Sequence, residues 1–76
     1  MRIYLGGQYS FYFPGHPAWV ETRLDAPAPL RAVLERLGVP PAEVYLVVVN
    51  REAVEMEAAI VQDSDEVRLY PPVGGG

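Results

Sequence analysis

The feature that most constrains the fold is an uninterrupted apolar run, Val-Tyr-Leu-Val-Val-Val, at residues 44–49. A run of this length is too short for a typical helix, and its β-branched residues favour a strand. Because no polar residue alternates with the apolar ones, the pattern predicts a central strand buried on both faces. The rest of the chain must therefore build a sheet around this segment.

The clearest helix lies at residues 30–37. Its apolar residues recur at i, i+3, i+4 and i+7 and so share one helical face: Leu30, Val33, Leu34 and Leu37. Pro27 or Pro29 can occupy the first helical turn. Gly38 can close the C-terminus, and the prolines at 40 and 41 prevent continuation.

Three further segments have strand character: residues 2–5, 19–24 and 66–70, the last with Val67 and Leu69 facing one way. Residues 6–8, 50–52 and 63–65 are predicted turns. Residues 9–13 form either a strand or a structured loop, and residues 54–59 are ambiguous. This order predicts an α+β, β-grasp fold with a mixed four- to five-stranded sheet and one main helix packed across it. The predicted division is a β-grasp domain at 1–70 and an extended tail at 71–76.

Size and composition exclude several functions. The chain has 76 residues, no cysteine and one histidine, so we expect no thiol chemistry and no metal site. A net charge of −4 argues against nucleic acid as a partner. No apolar stretch approaches the roughly 18 residues of a membrane span, and no signal peptide is visible. These features lead us to expect a cytoplasmic protein with no membrane partner.

The C-terminal segment has the features of a thin probe. Pro71 and Pro72 cannot continue a central strand, so the chain leaves the sheet there in a stiff, extended form. Val73 and then Gly74, Gly75 and Gly76 follow. Six extended residues span roughly 20 Å, and glycines let a backbone approach catalytic groups closely. The Gly76 carboxylate at the tip needs activation, and a partner enzyme must supply the ATP site.

Three motifs occur in a characteristic order: an apolar strand ending at Asn50, an acidic turn Asp-Ser-Asp-Glu-Val at residues 63–67, and Pro-Pro-Val-Gly-Gly-Gly at residues 71–76. Together with the helix at 30–37 they resemble the MoaD/ThiS family of ubiquitin-like sulfur-carrier proteins, and MoaD, the small subunit of molybdopterin synthase, in particular. Ser64 stands where the family has a turn glycine. Residues 6–17 do not match the family's first loop.

The resemblance implies a carrier protein rather than an enzyme, with no stably bound cofactor. A MoeB- or ThiF-like enzyme would use ATP to adenylate Gly76, which would then become a thiocarboxylate with Gly75 beside it. Pro71, Pro72, Val73 and Gly74 would contact partners. The sulfur would pass to a MoaE-like large subunit in molybdopterin synthesis. Alternatives are thiamine thiazole synthesis, tRNA thiolation, and a ubiquitin-like protein modifier.

Other candidate residues have plainer interpretations. His16 is expected in a loop, and a partner contact is its alternative. The acidic residues Asp63, Asp65 and Glu66 are expected in a solvated turn, with partner docking or paired catalytic carboxylates as alternatives. The aromatic residues either fill the core or form an exposed contact patch: Phe11, Tyr12, Phe13 and Trp19. A plain interaction domain whose glycine tail is incidental is the remaining hypothesis.

Overall fold

The structure, a computed structural model, describes residues 1–72. The strands of this part are β1 (Arg2–Leu5), β2 (Trp19–Glu21), β3 (Ala28–Pro29), β4 (Leu46–Val49), β5 (Glu52–Val54), β6 (Ile60–Val61) and β7 (Glu66–Tyr70). The helix α1 spans Leu30–Leu37. Short 3₁₀ helices occur at Gly7–Tyr12, Pro41–Glu43 and Met56–Ala58.

Five strands form one mixed sheet in the order β2-β1-β7-β4-β5. The strand β7 pairs in parallel with β1 and antiparallel with β4, so it occupies the centre of the sheet. The strands β3 and β6 form a separate antiparallel pair. This mixed sheet with one main helix confirms the predicted β-grasp fold.

The helix α1 has the predicted bounds. Gly38 ends it with φ 88°, a left-handed conformation that favours glycine, and its N–H donates to the Glu35 carbonyl at 3.1 Å. The prediction of a proline in the first turn is wrong. Pro29 is extended and stands immediately before Leu30, in the short strand β3, and Pro27 lies farther upstream.

The core lies between α1 and one face of the sheet. Leu30, Val33 and Leu34 of the helix are at most 2% exposed, and they pack with the inward residues of the two parallel strands: Ile3, Leu5, Val67 and Leu69. Burying a side chain of this size contributes about 1.5–3 kcal/mol relative to leaving it in water. The burial pattern of β7 confirms that Val67 and Leu69 share a face.

The prediction that residues 44–49 are buried on both faces is wrong. The strand begins at Leu46, and only Val47 is buried, whereas Tyr45 is 69% and Leu46 is 39% exposed. The physical reason is that the one helix covers one face of the sheet and leaves the other open to solvent. The central strand is β7, and β4 lies one position toward the edge.

Other strand boundaries in the structure also differ from the predicted ones. The strand predicted at 19–24 stops at Glu21, and residues 9–13 belong mainly to a 3₁₀ helix rather than to a strand. The ambiguous residues 54–59 contain the end of β5 and a 3₁₀ turn. The last strand ends at Tyr70. The division into a domain at 1–70 and a tail at 71–76 stays a prediction.

Candidate functional site

The candidate site begins where the chain leaves the sheet. The strand β7 ends at Tyr70, and it is the central strand of the sheet, paired with β1 on one side and β4 on the other. Pro71 follows, half-buried, and then Pro72, exposed. Val73, Gly74, Gly75 and Gly76 lie outside the described residues, so the roles predicted for them stay predictions.

Two glycines from the start of the chain lie against this exit. The Gly6 N–H donates to the Leu69 carbonyl at 3.0 Å, which extends the contact between β1 and β7 by one residue. An ideal Cβ on Gly7 would come within 2.6 Å of Pro71 Cγ, and Gly7 has φ +54°. The backbone of the turn predicted at residues 6–8 is therefore also in close contact with the Pro71 ring.

Tyr9 joins three segments beneath the same exit. Its side chain is fully buried, and its hydroxyl donates to the Glu43 carbonyl at 2.8 Å while it accepts from the Tyr45 N–H at 3.2 Å. The Tyr70 carbonyl is 3.3 Å away as a second acceptor. Sequence reasoning missed this residue, because nothing in an aromatic segment identifies which tyrosine turns inward.

An apolar hollow of about 350 Å³ lies beside the exit. It is lined by residues of β4, β7 and the tail's base: Tyr45, Leu46, Tyr70, Pro71 and Pro72. Next to it, on the open face of the sheet, the ring centroids of Tyr4 lie 5.7 Å from Tyr70 and 5.3 Å from Trp19. Pro71 and Pro72 therefore lie beside an apolar and aromatic surface, with Tyr45 and Leu46 exposed, of the kind that marks protein contacts.

Two of the sequence motifs meet in space. The Asn50 side-chain amide donates to Asp65 at 2.9 Å, and its oxygen accepts from the Glu66 N–H at 2.9 Å. The other Asp65 oxygen accepts from the Gln62 N–H at 2.8 Å. Asp65 is 9% exposed, so the expectation of a solvated turn is wrong for this residue. Its carboxylate ties the β4–β5 turn to the start of β7.

Asp63 holds the N-terminal part of the chain. Its carboxylate accepts from the Leu24 N–H at 2.9 Å and from the Met1 amine at 3.5 Å. The Leu24 hydrogen bond lowers the pKa of Asp63 below its ordinary value. Ser64 does not have positive φ, so this turn does not require a glycine at that position. These bonds assign Asp63 and Asp65 to structure rather than to paired acid–base work.

The remaining candidates lie in a loop, against the core, or on the open face of the sheet. His16 lies exposed in a loop as predicted, with its ring 4.4 Å from that of Phe11. Phe11 is 66% exposed, whereas Phe13 and Trp19 are half-buried. The exposed Tyr12 hydroxyl donates to the Glu43 carboxylate, and this bond raises the pKa of Tyr12. The four aromatic residues therefore do not form one exposed patch.

Within residues 1–72, no group of three or more metal-ligating side chains is found. In that same part of the chain, no helix has the length and apolar character needed to cross a bilayer.

Comparison with known proteins adds the family. A model described as the ThiS family matches residues 13–76, which is most of the chain and includes α1, β4 to β7 and the predicted tail. No match is found among curated proteins. The bonded Asn50–Asp65 pair and the strand β7 lie within the matched residues. The chain therefore belongs to the ThiS family of ubiquitin-like sulfur-carrier proteins.

Proposed function

We propose that the Gly76 carboxylate of this carrier is adenylated by a MoeB- or ThiF-like enzyme, converted to a thiocarboxylate, and used as a sulfur donor in molybdopterin synthesis. Members of the ThiS family are small carrier proteins rather than enzymes, and they interact with adenylating E1-like enzymes and with sulfur acceptors. The observation that supports the proposal most directly is that the family match extends through Gly76.

The chemistry has two steps. A Gly76 carboxylate oxygen attacks the α-phosphorus of ATP in the partner's site, forming an acyl-adenylate and releasing pyrophosphate. A sulfide-level sulfur, supplied by a donor protein or by inorganic sulfide, then attacks the acyl carbon and displaces AMP. The chain has no cysteine, so the sulfur has no thiol on this protein to pass through. ATP is the partner's substrate and not a cofactor of the carrier.

The architecture suits a carrier whose tail is presented to other proteins. The tail's base continues β7, the central strand, so it is anchored in the most strongly paired part of the sheet. The apolar hollow of Tyr45, Leu46 and the two prolines adjoins this base. We assign Pro71, Pro72, Val73 and Gly74 to partner contacts, and Gly75 and Gly76 to the partner's catalytic channel.

The pathway assignment rests on the Pro-Pro-Val sequence at residues 71–73, which resembles the molybdopterin branch. In that branch the tail would enter a MoaE-like large subunit and deliver its sulfur to a pterin precursor. Thiazole synthesis and tRNA thiolation use the same thiocarboxylate chemistry. They differ from the molybdopterin branch in the molecule that accepts the sulfur.

The basic residues favour a carrier over a modifier that links to copies of itself. All six are arginines: Arg2, Arg23, Arg31, Arg36, Arg51 and Arg68. A guanidinium stays protonated and is a poor nucleophile, whereas a lysine amine can capture an activated carboxyl group. The Met1 amine donates to the Thr22 carbonyl at 2.8 Å and is enclosed by the fold. A long-lived activated terminus therefore meets few amines on this protein.

The test uses the purified chain, ATP, a sulfide source and a MoeB- or ThiF-like enzyme. Intact mass should rise by the exchange of one oxygen for one sulfur, and the matched control without Gly76 should fold normally but show no exchange. Absence of exchange with enzymes of both types would contradict the proposal.

A second assay identifies the acceptor. The thiocarboxylated chain is mixed either with a MoaE-like large subunit and a pterin precursor or with a thiazole synthase and its substrates. Consumption of the thiocarboxylate with dithiolene formation in the first mixture alone supports the molybdopterin assignment. Consumption in the second alone would overturn that assignment while leaving the carrier function intact. Isopeptide-linked adducts in a cell extract would instead indicate a modifier.

A further inference from the structure

The first turn of the chain forms a seat for the ring of Pro71. The residues that meet the ring are Gly6 and Gly7, and their missing side chains make the contact possible. An ideal Cβ on Gly6 would lie 3.3 Å from Pro71 Cδ, and one on Gly7 would lie 2.6, 3.3 and 3.4 Å from Pro71 Cγ, Cβ and Cδ. A separation of 2.6 Å is shorter than any carbon–carbon contact allows, so no other residue fits here without movement.

The strand beneath the seat has little freedom to give way. Leu69 stands in register between Leu5 of β1 and Val47 of β4. A Cβ on Gly6 would come within 2.7 Å of the Leu69 carbonyl oxygen, which already accepts the Gly6 N–H. Because Leu69 is held from both sides, a side chain at either glycine must displace the seat or the proline rather than the strand.

We propose that Gly6 and Gly7 are positioning residues for the adenylation and sulfur-transfer steps, because they fix the direction in which Pro71 starts the tail. This inference rests on the proposed function. Proline has a fixed φ, so the orientation of its ring sets the course of the chain that follows. Five residues after Pro71 reach roughly 17 Å when extended. A change at the base is therefore carried to the reacting carboxylate when the domain is docked on a partner.

Three alanine variants separate this contact from ordinary backbone strain. Gly7→Ala introduces both the clash with Pro71 and the strain of φ +54°. Gly6→Ala introduces close contacts without that strain, since Gly6 has φ −71° and its Cβ would lie 2.7 Å from the Leu69 carbonyl oxygen and 3.3 Å from Pro71 Cδ. Gly15→Ala is the matched control, because Gly15 has φ +77° but nothing lies within 4 Å of its Cβ position.

The measurement is pyrophosphate release by the adenylating enzyme as a function of carrier concentration, beside thermal unfolding of each variant. We expect kcat to fall about 10- to 100-fold for Gly6→Ala and Gly7→Ala, the size of effect that a misplacement of about 1 Å produces. KM should change much less than kcat, because Tyr45, Leu46 and Tyr70 of the apolar hollow are unchanged and the displaced Pro71 mainly misdirects the reacting end. Gly15→Ala should keep the wild-type kcat whatever its melting temperature.

A fourth variant tests the partner of the contact. Pro71→Ala removes the ring, and Gly7→Ala combined with Pro71→Ala should lower kcat no further than Pro71→Ala alone, because the two changes act through one contact. The comparison of the double variant with Pro71→Ala also tests the contact if Gly7→Ala alone does not fold. Additive losses in the cycle would overturn the proposal.

The seat and the proposed function fail in different ways. If the wild-type chain is adenylated and the folded variants Gly6→Ala and Gly7→Ala match Gly15→Ala in kcat, the seat has no positioning role. If the wild-type chain is not adenylated, the proposed function fails, and the inference that rests on it is overturned with it. NMR signals of the Pro71 ring, expected to shift in Gly7→Ala and not in Gly15→Ala, verify that the variants disturb the intended contact.

Discussion

Replacing Tyr9 with phenylalanine should destabilise the domain, although the change removes only one oxygen atom. The Tyr9 side chain is fully buried, and its hydroxyl is the donor to the Glu43 carbonyl and the acceptor for the Tyr45 N–H. These bonds connect the first 3₁₀ helix to the segment that enters β4. Phenylalanine fills the same space in the core, so the loss isolates the hydroxyl from the packing of the ring.

The magnitude follows from the two bonds. A hydrogen bond contributes about 0.5–1.5 kcal/mol net, and more when the partner is left buried and unpaired. Glu43 and Tyr45 are exposed residues, so water can replace part of what their backbone groups lose. We therefore expect a loss of about 1–2 kcal/mol in the free energy of unfolding. In a domain of this size that lowers the melting temperature by about 4–16 °C.

The assay is thermal and urea unfolding followed by circular dichroism, with hydrogen exchange at the Tyr45 amide as the local measurement. Tyr12→Phe is the matched control, because its exposed hydroxyl bonds the side chain of the same Glu43. A melting temperature for Tyr9→Phe equal to that of Tyr12→Phe, with unchanged exchange at Tyr45, would refute the reasoning.

Three further predictions concern the core and the acidic turn. Asp65→Ala should cost about 1–3 kcal/mol because it leaves two donors unpaired, whereas Ser64→Ala should cost little; urea unfolding compares them. The pKa of Asp63 is lower in the folded chain, because it accepts the Leu24 N–H, so the unfolded state binds that proton more readily. Its contribution is present above the ordinary pKa of 3.8 and is lost as the pH falls through the folded value, so Asp63→Asn should flatten the acid side of the stability profile. Leu34→Ala should cost about 2–5 kcal/mol in the same unfolding assay.

The elements that the sequence predicts best are those encoded by local pattern. The bounds of α1 and its Gly38 end follow from apolar spacing and from a residue that accepts positive φ, and both signals lie within nine positions of each other. The strand β7 is equally predictable from the sequence, because Val67 and Leu69 alternate with polar residues. The order of the elements and the family's tail motif then sufficed for the β-grasp fold.

Burial across the sheet was less predictable. The run at residues 44–49 contains no polar residue, so its pattern cannot report that only one face is covered. Leu46 and Tyr45 are instead exposed beside the tail's base, where they line the apolar hollow. An apolar run without alternation is thus compatible both with a strand buried on two faces and with a strand exposed on its outer face. Only the position of the main helix distinguishes these two cases.

The parts of the site that sequence reasoning missed are contacts between distant segments. The sequence predicts a turn at Gly6 and Gly7, but their contact with Pro71 depends on the parallel pairing of β1 with β7. Tyr9 meets Glu43, Tyr45 and Tyr70 for the same reason. No local pattern encodes such pairings, since they follow from the topology of the whole sheet.

That topology also bears on the proposed function, because a tail that continues β7 is anchored better than one on an edge strand, β2 or β5. A tail that is pulled into a partner's channel transmits force and torque to its base, and an edge strand could peel away because it is bonded on one side. The strand β7 is bonded to β1 and β4 along its length, and the Asn50–Asp65 bonds fasten its start while Gly6 fastens its end through Leu69. Under the proposed function, the reacting end would therefore be anchored on the central strand, with Pro71 and Pro72 following directly where β7 ends.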